Sequence, residues 1–233
     1  PWGTNMIIES VGDAKLTIFS NGNYGGLIDA PWEDVDYTLT LNNANLDITS
    51  TADYQKSPAL SACNIVMNGG NINLNGGYYA LHAAKNITIN SGNLTATSAN
   101  ESVAATVYAG GTLNIKGGNV KMYKTAEGGG GAVKAESFIV DGGNVYGEGY
   151  AYTVNAETVE INGGVVEMKA ISEEGDAQVF LNGAPDLAKF ENPAAVLGVN
   201  KDDVAKYDPD NAMEMDTGYF KVAKAGTADA PEV

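Results

Sequence analysis

The chain has 233 residues, 44% of them apolar, and a formal net charge of −16 from 29 acidic and 13 basic residues, none of the latter Arg. The apolar share suffices for a buried core, and the acidic excess without Arg argues against a surface that tracks nucleic-acid phosphates. One Cys and one His exclude a disulfide framework and a Cys/His zinc cluster, and no apolar run nears the roughly 18 residues of a membrane span.

The chain opens at Pro1 without a Met or a charged-then-apolar leader, which reads as a processed piece of a longer product with further modules. Residues 1–36 read as a degenerate first coil and N-terminal cap, with strand patterns at Leu16 and Ile18 and at Ile28-Asp29-Ala30. The segment Pro31-Trp32-Glu33-Asp34-Val35-Asp36 follows. Its carboxylates Glu33, Asp34 and Asp36 are a candidate calcium site, with backbone carbonyls or loop carboxylates needed to complete the shell. The same composition suits a solvated capping loop.

From residue 37 to 181 the sequence repeats. With Gly70 as the reference corner, equivalent corners fall at Ala44, Gly92, Gly118, Gly143 and Gly164, at spacings of 26, 22, 26, 25 and 21 residues. Five and three residues before each corner stand apolar pairs: Leu39 and Leu41, Ile65 and Met67, Ile87 and Ile89, Leu113 and Ile115, Phe138 and Val140, Val159 and Ile161. Mostly polar residues separate them, the period-two signature of a strand with one buried face. A second such strand follows each corner, as in Ile72 and Leu74 or Val120 and Met122. A third short one has an apolar-x-small pattern, from Leu60 and Ala62 to Val154 and Ala156, with Val179 and Leu181 closing the series.

Three strands too short to bury anything alone share a core only if successive repeats stack. The sequence therefore predicts an all-β, right-handed parallel β-helix of about seven coils with three short strands each. Asn45, Asn71, Asn93, Asn119 and Asn144 follow their corners, and the series fails only at Val165. Stacked coils would bring these asparagines into a column about 4.8 Å apart, each amide bonding to its neighbours. Residues 182–233 read as a C-terminal cap with a short helix near Val196 to Tyr207, a strand at Tyr219 to Val222 and a linker-like tail.

The gap between second and third strands varies from 7 to 12 residues, whereas the third strand reaches the next corner at a nearly constant distance. Variation confined to one edge marks functional loops. Those loops hold Tyr54, Tyr78, Tyr79, Asn100, Glu101, Tyr123, Lys124, Glu127, Tyr150 and Tyr152. Tyr faces stack on sugar rings, and carboxylates and amides bond sugar hydroxyls, so this row is a candidate polysaccharide site; the same rings also suit a cover over loop backbone. Lys124 with Glu127 is the one lysine-acid pair that could serve a lyase as base. His82, between inward Leu81 and Ala83, is expected on the surface with no Ser or Cys nucleophile pattern beside it.

The Asn-Gly-Gly-Asn-Ile-Asn-Leu and Lys-Gly-Gly-Asn-Val-Lys-Met corners, each followed by a variable loop and an apolar-x-Ala strand, resemble those of secreted β-helical carbohydrate-binding proteins of clostridia and related gut bacteria. That family is similar in fold to the pectate lyases of polysaccharide lyase family 9. Over residues 37–181 the resemblance implies an extracellular or cell-surface bacterial protein that binds plant cell-wall glucan or pectin and carries calcium. The expected function is a non-catalytic, calcium-assisted polysaccharide-binding module. A structural adhesin or stalk domain is the alternative, and a pectate-lyase-like enzyme the third.

Overall fold

A computed structural model describes residues 4–21, 36–51, 58–101, 105–127, 130–150 and 153–171, and short strands at 179–181, 195–197, 213–215 and 219–223. The strands are β1 (Met6–Glu9), β2 (Leu16–Ser20), β3 (Thr38–Asn42), β4 (Ala44–Ser50), β5 (Leu60–Ala62), β6 (Asn64–Gly76), β7 (Leu81–Ala83) and β8 (Ile87–Ser98). They continue with β9 (Ala105–Ala109), β10 (Thr112–Ile115), β11 (Asn119–Lys124), β12 (Gly131–Val140), β13 (Asn144–Gly149), β14 (Val154–Ile161) and β15 (Val165–Ala170). Last come β16 (Val179–Leu181), β17 (Ala195–Leu197), β18 (Met213–Met215) and β19 (Tyr219–Ala223). No helix occurs among the described residues.

The strands stack as a parallel β-solenoid. One column pairs Met6, Leu39, Ile65, Ile87, Leu113, Phe138 and Val159 in succession. A second pairs Leu16, Leu46, Ile72, Leu94, Val120, Val145 and Val166. The third pairs Leu60, Leu81, Val107, Val133 and Val154. All twelve apolar positions of the first-strand series from Leu39 to Ile161 are buried, and they form one continuous core with the inward residues of the other two columns. Each fully buried Leu, Ile or Phe contributes roughly 1.5–3 kcal/mol.

The corners turn where the backbone takes positive φ, which glycine adopts without a Cβ clash. Gly70, Gly92, Gly118, Gly143 and Gly164 do so. In the first full coil the left-handed residue is Asn43 (φ 47), one place before the expected corner, and Ala44 pairs normally with Gly70. Asn tolerates this conformation far better than Ala, so the coil turns without a glycine.

The asparagines form a ladder. Asn71 Nδ2 donates to Asn45 Oδ1 at 3.1 Å, Asn93 to Asn71 at 2.7 Å, Asn119 to Asn93 at 2.8 Å and Asn144 to Asn119 at 2.9 Å. Shorter ladders run from Asn42 through Asn68 to Asn90 and from Asp36 through Asn64 to Asn86.

At the C-terminal end the parallel order stops. β19 pairs antiparallel with β15 and with β17, and β18 pairs antiparallel with β16. A strand was expected at 219–222 and is present; Ala195–Leu197, where a helix was expected to begin, is a strand. The third column also slips, because Val154 pairs with Leu181 and not with Val179. A two-residue slip preserves which face points inward, so the apolar-x-small pattern could not reveal it.

Candidate functional site

The residues between second and third strands, read as one sugar-facing row, divide in the structure. Tyr54 and Tyr152 lie outside the described residues. Tyr78 and Tyr79 occupy the turn between β6 and β7, edge to face with centroids 4.6 Å apart. Tyr123 is not in a loop: it lies on β11, and its ring stands 5.8 Å from that of Tyr146. Asn100, Glu101 and Glu127 follow β8 and β11, and Tyr150 follows β13, where its N–H donates to Gly130 O.

Lys124 is fully buried at the end of β11, on the inward row otherwise held by small residues such as Ser98 and Gly149. Its ammonium donates to the carbonyls of Asn100 and Ala126, and burial pushes its pKa down against the raising influence of Glu101. An ammonium so held ties the segments after β8 and β11 together.

His82 lies on the outer face of the third strand, as its place between inward Leu81 and Ala83 implied, but half-buried against its neighbours. It stacks on Tyr108 (5.2 Å, 11° between planes) and on Tyr79 (5.2 Å), and burial lowers its pKa from 6.5 to about 4. Stacking of coils also brings Ser61 beside it, Oγ to Nδ1 3.0 Å, a contact between residues 21 apart in sequence. This Ser-His pair lacks the geometry of a nucleophile. Ser61 is only 1% exposed, and among the described residues no carboxylate orients the ring. The pair and the rings form a packed seam on the outside of the third column.

Asp36 heads one of the amide ladders. It bonds Lys85 at 3.3 Å and accepts from Asn64 Nδ2 at 2.8 Å, and these contacts, Lys85 foremost, hold its carboxyl below the usual range. Glu33 and Asp34 lie outside the described residues. Among the described residues no three His, Cys, Asp or Glu side chains converge.

Among the described residues, concave surface lies elsewhere, on the outer face of the second column. Two hollows of about 500 and 470 Å³ share Asn93 and Thr95 and so join end to end along the solenoid axis. One wall is the exposed asparagine ladder. The other is the next outward row, two residues on: Asn73, Thr95, Lys121, Tyr146 and Glu167. The floor is backbone, because Ile72, Leu94, Val120 and Val145 between the walls turn their side chains into the core. Alternation sets the width at about 7 Å, two residues of strand.

Charges in the groove are few. Lys15 bonds Asp47 at 2.6 Å, and Asp47 also accepts from Asn73 at 3.1 Å, so its carboxyl is held below the usual range. Tyr146 donates its hydroxyl to Glu148, and burial together with that carboxylate raises its pKa. Lys121 is exposed and forms no ion pair among the described residues. Sequence reading located the Asn at each corner but not the hollow beside it. No family profile, curated protein or solved structure matches the chain.

Proposed function

We propose that this chain is a non-catalytic polysaccharide-binding module that holds an extended glycan in the axial groove. The observation that carries the reading is the groove itself, open along several coils with an amide at each rung. In the ladder Asn71, Asn93 and Asn119 each use one side-chain N–H and one lone pair, leaving one of each for a ligand hydroxyl, whereas Asn45 Oδ1 accepts from both the side chain and the backbone N–H of Asn71. Coils repeat about every 4.8 Å, comparable to the advance of one sugar in an extended β-linked chain. The faces of Tyr146 and Tyr123 add apolar surface of the kind that packs against pyranose rings. Single rungs bind weakly, and affinity accumulates along the column.

The reading places the protein outside a bacterial cell, where plant cell-wall polymers are met. Calcium belongs to it only through the loop that ends at Asp36, separated from the groove by the whole first strand, and calorimetric titration with calcium tests that assignment. The groove is tested by retention on a panel of soluble and insoluble polysaccharides. Wild-type protein is retained by at least one glycan, and Tyr146→Ala weakens retention by about tenfold, the equivalent of about 1.4 kcal/mol. Retention on none would discard the binding reading in favour of a stalk, for which the self-satisfied amide ladders, suited to a stiff spacer, are the supporting observation.

A further inference from the structure

We infer that the groove selects an uncharged glycan lying along the solenoid axis with one sugar per coil, and rejects polyuronates. The inference rests on the polysaccharide-binding reading and names the ligand class of that site.

It follows from the groove's charge and its period. A polyuronate carries one carboxylate per sugar, so laid along the axis it would set a negative charge near every rung. Opposite that row the groove offers two ammonium groups. Lys15 is already neutralised by Asp47 at 2.6 Å, which leaves Lys121. Asp13 and Glu167 also line the hollows, Glu167 with Lys221 opposite it on β19, and Glu148, with Lys169 opposite it on β15, holds the Tyr146 hydroxyl. Glu167 lies one rung beyond Tyr146 in the same outward row. The remainder of the chain adds to the repulsion, since its formal net charge is −16. Each like-charge contact near 5 Å costs on the order of 1 kcal/mol in water, and with Asp13 at one end of the groove and Glu167 at the other a polyuronate meets repulsion at both, with Lys121 between them.

Calcium bridges do not alter this balance in the groove. Among the described residues no metal-binding group of His, Cys, Asp or Glu is present, and Asp36 lies at the far end of the first strand, bonded to Lys85. The groove's repeating chemistry is instead uncharged. Its constant wall is Asn45, Asn71, Asn93, Asn119 and Asn144, and the spare amide valences on that wall match hydroxyl groups.

The period also fixes a length. The hollows run from the rung of Asn45 to that of Val165, six rungs by the strand register, or about 24 Å. Affinity should therefore climb with oligosaccharide length and level off at about six sugars.

The experiment is calorimetric titration of the full chain with two matched series of two to eight sugars: uncharged β-linked gluco- and manno-oligosaccharides, and oligogalacturonates. Affinity electrophoresis in the parent polymers accompanies it. We expect a neutral series to bind with affinity that plateaus near the hexamer. Its Kd should change by less than about twofold between low and high salt, since uncharged partners are not screened, and should be unaffected by a chelator. Oligogalacturonates should bind at least about tenfold more weakly. Equal or tighter binding of oligogalacturonates, or loss of binding in chelator, overturns the inference while leaving the polysaccharide reading intact. A neutral series whose affinity does not grow with length overturns the one-sugar-per-coil register. Retention on neither class removes the polysaccharide reading itself.

Discussion

Replacing Gly143 by Ala tests whether the corners stack as tightly as the register implies. Gly143 has φ +83, and a Cβ there would lie 2.5 Å from Gly118 O and 2.8 Å from Gly117 C, both backbone atoms of the preceding coil. Ordinary contacts begin near 3.4 Å, so the two coils must part by close to 1 Å. That movement strains the bond from Asn144 N to Gly118 O (2.8 Å) and the ladder bond from Asn144 Nδ2 to Asn119 Oδ1 (2.9 Å). Left-handed strain of about 1–2 kcal/mol plus about 1 kcal/mol for each weakened bond gives a loss of roughly 3–4 kcal/mol. Gly12→Ala is the matched control: φ is +60, but nothing lies within 4 Å of the added carbon. It should cost only the strain, about 1–2 kcal/mol. Urea unfolding followed by circular dichroism measures both, and amide exchange at residues 118–120 and 143–145 reports the local opening that a global midpoint averages in a repeat protein. Equal destabilisation by the two substitutions would refute coil-on-coil contact as the reason for the corner glycines.

His82, the chain's single histidine, should titrate by NMR near its lowered value of about 4. Because the unfolded ring takes up a proton first, stability should fall as pH drops from about 6.5 towards 4, by up to about 3 kcal/mol; a ring titrating near 6.5 would contradict its burial. Lys124 has a lowered pKa in the fold, so the unfolded chain holds a proton that the folded chain releases. Wild-type stability should therefore rise relative to Lys124→Met as pH increases towards about 10; parallel urea midpoints across alkaline pH would disprove it. Asn93→Asp puts a carboxylate oxygen where Nδ2 stood 2.7 Å from Asn71 Oδ1. It should cost about 1 kcal/mol at neutral pH. Its folded pKa is raised, so the loss should shrink in melting curves taken below about pH 4.

The core of the solenoid was legible because its signals are local and repeated. Alternation marked Leu39 to Ile161 as inward, and those side chains are buried; recurrent Gly-Asn pairs marked the corners, and the amides bond as expected. What escaped depends on neighbours distant in sequence. Ser61 meets His82 only because two coils stack in register. Lys124 looked like a loop residue because lysine seldom faces inward, yet at the end of β11 its stem fills space and its ammonium reaches two carbonyls. The loop tyrosines drew attention by residue type. The groove is defined by the spacing of two outward rows, which composition does not encode.

The one break in the asparagine series explains the limits of the groove. An Asn in the ladder has its full set of bonds only when a parallel coil lies on each side. At Val165 the next strand is β19, antiparallel, with Ala223 opposite, so an amide there could donate to Asn144 Oδ1 but its own oxygen would meet no Asn Nδ2 from the far side. A β-branched apolar residue suits that place better, since it asks for no hydrogen-bond partner. The same rung is the last that lines the hollow. Ladder and groove thus end together because both require repetition of one backbone geometry. Since the amide wall is nearly invariant, the rungs differ chiefly in the opposite row, where Thr95, Lys121, Tyr146 and Glu167 succeed one another. On the proposed polysaccharide-binding reading, discrimination between ligands resides in that row, and exchanging its residues should change which glycan is held while the ladder, and with it the fold, stays intact.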